Sequence, residues 1–265
     1  MSIFASKGQA AVQASNNDGG AQESPIVSFK SGSTFKVGVK SVFDVAEYYG
    51  YSIYKKVNTF VPTVQAKRNA RGFVESDPSV WDRASELLYA DAKKAKEAGA
   101  SEDAVKEITD EAYLYRGKQR FLRAFFDLET GKDIVVDLSP KQEKTLKAVI
   151  EKYAKKLDSL AFELSKSGTG TNAVVALSPI IDMDEDLSDA ERKNFAKLGE
   201  KPFDMESFES CLFIADEDEQ IKNLVIAGFD IARLGLSIGA NATNNAPEPA
   251  GDDAPIDISD EELPF

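Results

Sequence analysis

The chain has 265 residues, 42% hydrophobic and 29% charged, the balance of a globular protein with one large domain or two small ones, which excludes a mainly disordered chain. It contains no histidine and a single cysteine, Cys211, so Ser-His and Cys-His nucleophiles, histidine-ligated zinc and an intrachain disulfide are excluded. Lys and Arg number 32 against 45 Asp and Glu, and a net charge of −13 taken as a whole argues against a nucleic-acid partner, because phosphates are repelled by an acidic surface.

In chain order, residues 1–27 are rich in Ser, Ala, Gln, Asn and Gly and read as a flexible arm without signal-peptide character. Short β-branched and aromatic runs at 34–42 and 58–65 predict strands. Residues 79–98 carry a helical pattern, and a polar helical stretch follows over 101–112. The segment 115–138 holds two strand-like runs separated by Glu-Thr-Gly-Lys, a hairpin loop. A long amphipathic helix is predicted over 140–166, with Leu146, Val149, Ile150, Tyr153, Leu157, Leu160 and Leu164 on one stripe and Ser139-Pro140 as its start signal. Runs at 173–181 and 223–237 read as further strands. Residues 240–265 hold three prolines before the tip, seven acids and no base, and are expected to be a disordered tail.

This order predicts a mainly β, α+β fold: a single domain over 28–239 built as an OB-type five-stranded Greek-key barrel, with a helical insertion at about 79–112. No apolar stretch approaches the roughly 18 residues of a membrane span, so the expected setting is the cytoplasm, with no membrane partner.

The charge is partitioned along the chain. Residues 30–71 carry +6, whereas 182–219 carry −10 and 240–265 carry −7. The basic stretch is also aromatic: Lys36, Lys40, Lys55, Lys56, Lys67, Arg68 and Arg71 stand among Tyr48, Tyr49, Tyr51, Tyr54 and Phe60. A second cluster, free of acids, places Tyr113 and Tyr115 beside Arg116, Lys118, Arg120 and Arg123. Cations interleaved with aromatics suit unpaired nucleic acid, since bases expose their π-faces only when single-stranded and Lys or Arg neutralises the phosphates. These eighteen residues are the predicted single-stranded DNA contacts. The competing reading makes the phenylalanines core and the lysines solvated strand edges. Four tyrosines within residues 48–54 cannot all face inward on a strand or a helix, so some are expected at the surface.

The last nine residues, Asp-Ile-Ser-Asp-Glu-Glu-Leu-Pro-Phe, close the chain with an acidic run and a terminal Leu-Pro-Phe. This tip resembles the acidic tip of bacterial single-stranded DNA-binding proteins. The body is longer than that family's single barrel and looks more like a phage-encoded or divergent member carrying a host-type tail. The resemblance implies recruitment of replication, recombination and repair proteins: Leu263, Pro264 and Phe265 would dock in a partner's pocket, and Asp257, Asp260, Glu261 and Glu262 would steer the encounter.

The expected function is therefore sequence-independent binding and protection of single-stranded DNA, without catalysis, metal or cofactor. One alternative is an adaptor that mimics the tip without binding DNA. Another is a metal-dependent exonuclease using Asp127 and Glu129 of an Asp-x-Glu-Thr sequence, but that segment also reads as the hairpin turn. Asp182, Asp184 and Asp186 have the alternate spacing of a calcium loop, yet Leu187 stands where such loops require glycine, so a helix-start cluster or a solvated loop is preferred.

Overall fold

In the computed structural model, residues 24–237 are described. The first three strands are β1 (Thr34–Gly38), β2 (Val45–Ile53) and β3 (Val57–Pro62), followed by a small hairpin of β4 (Lys67–Arg68) and β5 (Val74–Ser76). Two helices come next, α1 (Val80–Glu97) and α2 (Glu102–Leu114), then the hairpin of β6 (Lys118–Asp127) and β7 (Asp133–Leu138). Helix α3 (Pro140–Lys152) leads to β8 (Phe162–Ser167) and β9 (Val174–Pro179). The described chain ends with α4 (Met183–Asp186), α5 (Asp189–Phe195), the two-residue β10 (Ile214–Ala215), α6 (Glu217–Ala227) and a short turn of helix at Ile231–Leu234.

Local chemistry sets the helix starts. Ser79 and Ser139 each cap a helix, and each donates its own backbone N–H in return to the side-chain oxygen of the third helical residue, Asp82 and Gln142. Pro140 opens α3, where its missing N–H costs nothing.

Eight strands form one mixed sheet in the order β10-β3-β2-β6-β1-β8-β9, with β7 on the other edge of β6. All pairings in it are antiparallel except β10 with β3. Strands β1 and β2 lie end to end along one edge of β6, pairing Gly38 with Phe126 and Val45 with Arg123. The molecule is thus α+β, as expected, but the sheet is not a closed barrel: β10 and β9 are its two ends. The physical reason is that both sheet faces are covered by other elements, so no barrel interior is needed to bury them. Leu146 and Ile150 of α3 pack on Val37, Phe125 and Phe162 on one face, and Phe203 and Phe208 pack on Leu122 and Val135 on the other. At the β2–β3 end, Trp81 of α1 and Leu224 of α6 cover Tyr51 and Phe60.

Three local expectations are corrected. The helix predicted over 140–166 stops at Lys152, and Phe162 and Leu164 join the same core from β8, with Glu163 between them exposed. Leucines spaced for a helix also satisfied strand alternation there. The strand predicted over 223–237 is instead the end of α6 and a helical turn: Leu224 and Ala227 are buried while Val225 and Ile226 are exposed, a helical spacing that ends at Gly228 with φ of +99°. Residues 25–27, assigned to the arm, are bonded to β7, with Val27 N–H donating to the Val135 carbonyl at 2.9 Å. Among the described residues no helix is long and apolar enough to cross a membrane.

Candidate nucleic-acid interface

Strand β2 is covered on both faces, so tyrosines of opposite parity are both buried. Tyr48 donates to Asp137 Oδ1 at 2.9 Å, and Arg120 holds the same carboxylate through Nη2 at 2.8 Å. On the other face Tyr51 donates to Asp82 Oδ2 at 2.6 Å. Burial, reinforced by these carboxylates, pushes both phenols above the usual tyrosine range, so they serve as neutral donors.

Several other predicted contacts are also interior. Phe60 meets Trp81 edge-on with ring centroids 5.2 Å apart, and Tyr115 packs against Trp81 at 5.5 Å. Arg123, 1% exposed, is forked onto Glu143 of α3, its Nε donating at 2.8 Å. Lys36 is paired with Glu191 at 3.2 Å, and Lys40 with Asp133 at 2.7 Å while lying over the Phe126 ring. Tyr48, Tyr51, Phe60, Tyr115, Arg120 and Arg123 therefore hold the fold together.

The remaining predicted residues come to the surface around the β4–β5 hairpin. Asn69 shapes its loop by accepting from the backbone N–H groups of Arg71 and Phe73 at 2.9 and 3.1 Å. Gly72, at φ +78°, lies close over the sheet: a Cβ there would stand 3.4 Å from Tyr49 Oη and 3.8 Å from Arg116 Nη2. Arg68 reaches back across the ring of Tyr49, its Cζ 4.3 Å from the centroid. Phe73 is 56% exposed, with the Arg116 guanidinium 5.3 Å from its ring centroid. Arg71 is exposed, and Lys67 is exposed beside Asp77 at 3.3 Å.

A second exposed group is the β2–β3 turn, where Lys55 adopts φ of +59° and lies over Tyr54, itself 63% exposed, with Lys56 following. Tyr113 and Lys118 are half-buried, the ammonium 5.9 Å from the ring. The aromatic of this hairpin that the sequence reading missed is Phe73, while Phe43 and Phe213, also exposed and unpredicted, lie on other segments. The signal for Phe73 was present, two residues beyond Arg71 and behind a turn glycine, but strand periodicity says nothing about a loop.

The surface thus offers an exposed phenylalanine set against a guanidinium, with further cations around it, an arrangement that can stack on a flat π-system and neutralise phosphate. Elsewhere, Asp127 accepts from Thr130 Oγ1 at 2.6 Å and from the N–H groups of Glu129 and Thr130, which makes it the organiser of the β6–β7 turn. Asp182 caps α4 by accepting from the N–H groups of Asp184 and Glu185, each at 3.1 Å. Among the described residues no group of three or more acids or thiols is placed to hold a metal ion. The predicted partner-binding residues Asp257 through Phe265 lie outside the described residues. No family model, curated protein or solved structure matches this chain.

Proposed function

We propose that this protein binds single-stranded DNA without sequence readout and protects it during replication, recombination or repair, in the cytoplasm of a bacterium or an infected host cell. The observation that carries the reading is the Arg116–Phe73 pair at the tip of a hairpin bearing Lys67 and Arg71. An exposed phenylalanine backed by a guanidinium costs solubility in a free protein and gains a partner when an unstacked base lies on its open face. The terminal acidic Leu-Pro-Phe sequence supports the same reading and supplies a recruiting element for other proteins.

A neutral base stacks on Phe73 while the flanking phosphates meet Arg71, Lys67 and Arg116. Duplex DNA hides its π-faces and binds more weakly at the same salt. The test is an anisotropy titration of labelled oligothymidine with the full chain, at low and moderate salt, against duplex of equal length. Preferential single-strand binding that falls steeply with salt is expected; no binding at low salt overturns the proposal.

A further inference from the structure

We propose that α3 carries a second row of phosphate contacts, Lys141, Lys144 and Lys147, so that a bound strand runs from the β4–β5 hairpin over the sheet to this helix. The inference rests on the single-stranded DNA reading above.

The sheet register places the two elements at opposite ends of one face. On β2 and β6 the pairs Tyr49–Gln119, Glu47–Phe121 and Val45–Arg123 follow one another on the same side. Tyr49 stands beneath the hairpin, through Arg68 and Gly72. At the other end Arg123 is bonded to Glu143 of α3. Four residues of strand separate Gln119 from Arg123, about 13 Å at ~3.3 Å per residue. Between the two, Glu47 is exposed and Gln119 and Phe121 are half-buried, with Gln119 Nε2 donating to Glu47 Oε1 at 2.7 Å. This floor presents an amide and a carboxylate, groups that hydrogen-bond base edges, whereas the cations stand at its two rims.

The first two turns of α3 present only positive charge to solvent. Leu146 and Ile150 are buried, Glu143 is turned inward onto Arg123, and Lys141, Lys144 and Lys147 are exposed. Lys141 and Lys144 form no ion pair with any described residue, and Lys147 reaches Glu151 only at 3.8 Å. On the other long helices Lys94 neighbours Asp91 and Lys106 is paired with Asp110 at 2.7 Å, although Lys93 and Lys96 of α1 are also exposed. Like charges at i, i+3 repel, so the α3 row weakens the isolated helix. A polyanion lying along it removes that repulsion, and in a chain of net charge −13 this row stands out against the prevailing sign.

The test uses the full chain with Lys141, Lys144 and Lys147 changed together to Gln, titrated with oligothymidines from about 4 to 30 nucleotides, a range spanning the ~4–16 nucleotide sites of single-strand binders. The slope of log K against log salt should fall in magnitude by about 2 on long oligomers, at ~0.7 per phosphate. Equivalently, between about 50 and 200 mM salt the wild type should lose ~20-fold more affinity than the variant. The shortest oligomers, held by the hairpin alone, should show little difference. The triple Lys→Arg variant should keep the wild-type slope, and Lys193→Gln with Lys201→Gln, which removes charge from the acidic segment, should leave the slope unchanged. Wild-type slope and affinity in the triple Gln variant at every length overturn the proposal, as does an equal effect from the Lys193/Lys201 control. Should the wild type bind no oligomer, the DNA reading itself has failed; binding with the α3 row silent rejects only the second track. Circular dichroism of each variant confirms that the substituted helix is intact.

Discussion

Arg68 and Asp82 form an ion pair at 2.7 Å with side chains only 5% and 2% exposed, and this pair ties the β4–β5 hairpin to the first turn of α1. Asp82 is at once the reciprocal partner of the Ser79 cap and the acceptor of the Tyr51 hydroxyl. Arg68 also covers Tyr49, so one side chain links a buried network to the candidate DNA surface.

Arg68→Ala leaves the Asp82 carboxylate buried without its cation. The expected cost is about 3 kcal/mol of stability, the usual scale for removing one partner of a buried pair, read by urea denaturation. Oligothymidine affinity should fall as well, since the hairpin loses its anchor.

Phe73→Ala should separate binding from folding. The ring is 56% exposed, so stability should change by less than about 0.5 kcal/mol, while a lost base stack costs ~1–3 kcal/mol of DNA affinity. Tyr48→Phe should do the reverse, lowering stability by about 1 kcal/mol through the lost bond to Asp137 and leaving DNA affinity unchanged. A Tyr48→Phe variant that folds normally but binds weakly would contradict this assignment of roles.

The Arg123–Glu143 pair joins β6 to α3 in a site where Arg123 Nη1 finds no partner. Glu143→Ala should therefore cost about 3 kcal/mol or more, because a guanidinium is left in the core. Replacing both residues by apolar ones, Arg123→Met with Glu143→Leu, should recover most of that loss. A double variant as unstable as the single one would show that the pair contributes net stabilisation.

Asp44 gives a pH dependence. Burial pushes its carboxyl above the usual carboxylate range, against the opposing Ser41 N–H and Lys40 charge. A raised folded-state pKa means that the ionised form is penalised in the native protein, so the contribution of Asp44 to stability is fully present below the unfolded value of about 3.9 and is lost as pH rises through the folded value. Asp44→Asn should be more stable than the wild type at neutral pH, and the difference should shrink as pH falls towards 4. A difference independent of pH would place the effect elsewhere.

Removing residues 240–265 takes away seven acids and no base. If the tail competes with DNA for the basic surface, the shortened chain should bind oligothymidine more tightly, most clearly at low salt where charges are least screened. Equal affinity at several salt concentrations would dismiss this competition.

The helix starts at Ser79 and Ser139 and the turn organised by Asp127 were legible in the sequence because each depends on groups within three residues of one another. The identity of the surface residues was less legible. A basic, aromatic composition describes both a DNA face and a core crossed by ion pairs, and local spacing does not separate them.

The sequence by itself determined the α+β character, the strands β1, β3, β6, β7 and β9, the helices α1 and α2 and the start of α3, but not β2, β8 or α6, together with the segregation of charge along the chain and the terminal Leu-Pro-Phe, since these follow from composition and short-range pattern. Only the tertiary structure decided which cations and aromatics meet solvent. Tyr48 finds Asp137 across 89 residues of chain and Tyr51 finds Asp82 across 31, and burial on both faces of β2 results from elements that are distant in sequence. The same long-range packing left Phe73 and the lysines of α3 exposed, because no later element covers them, and Arg116 half-buried against Phe73.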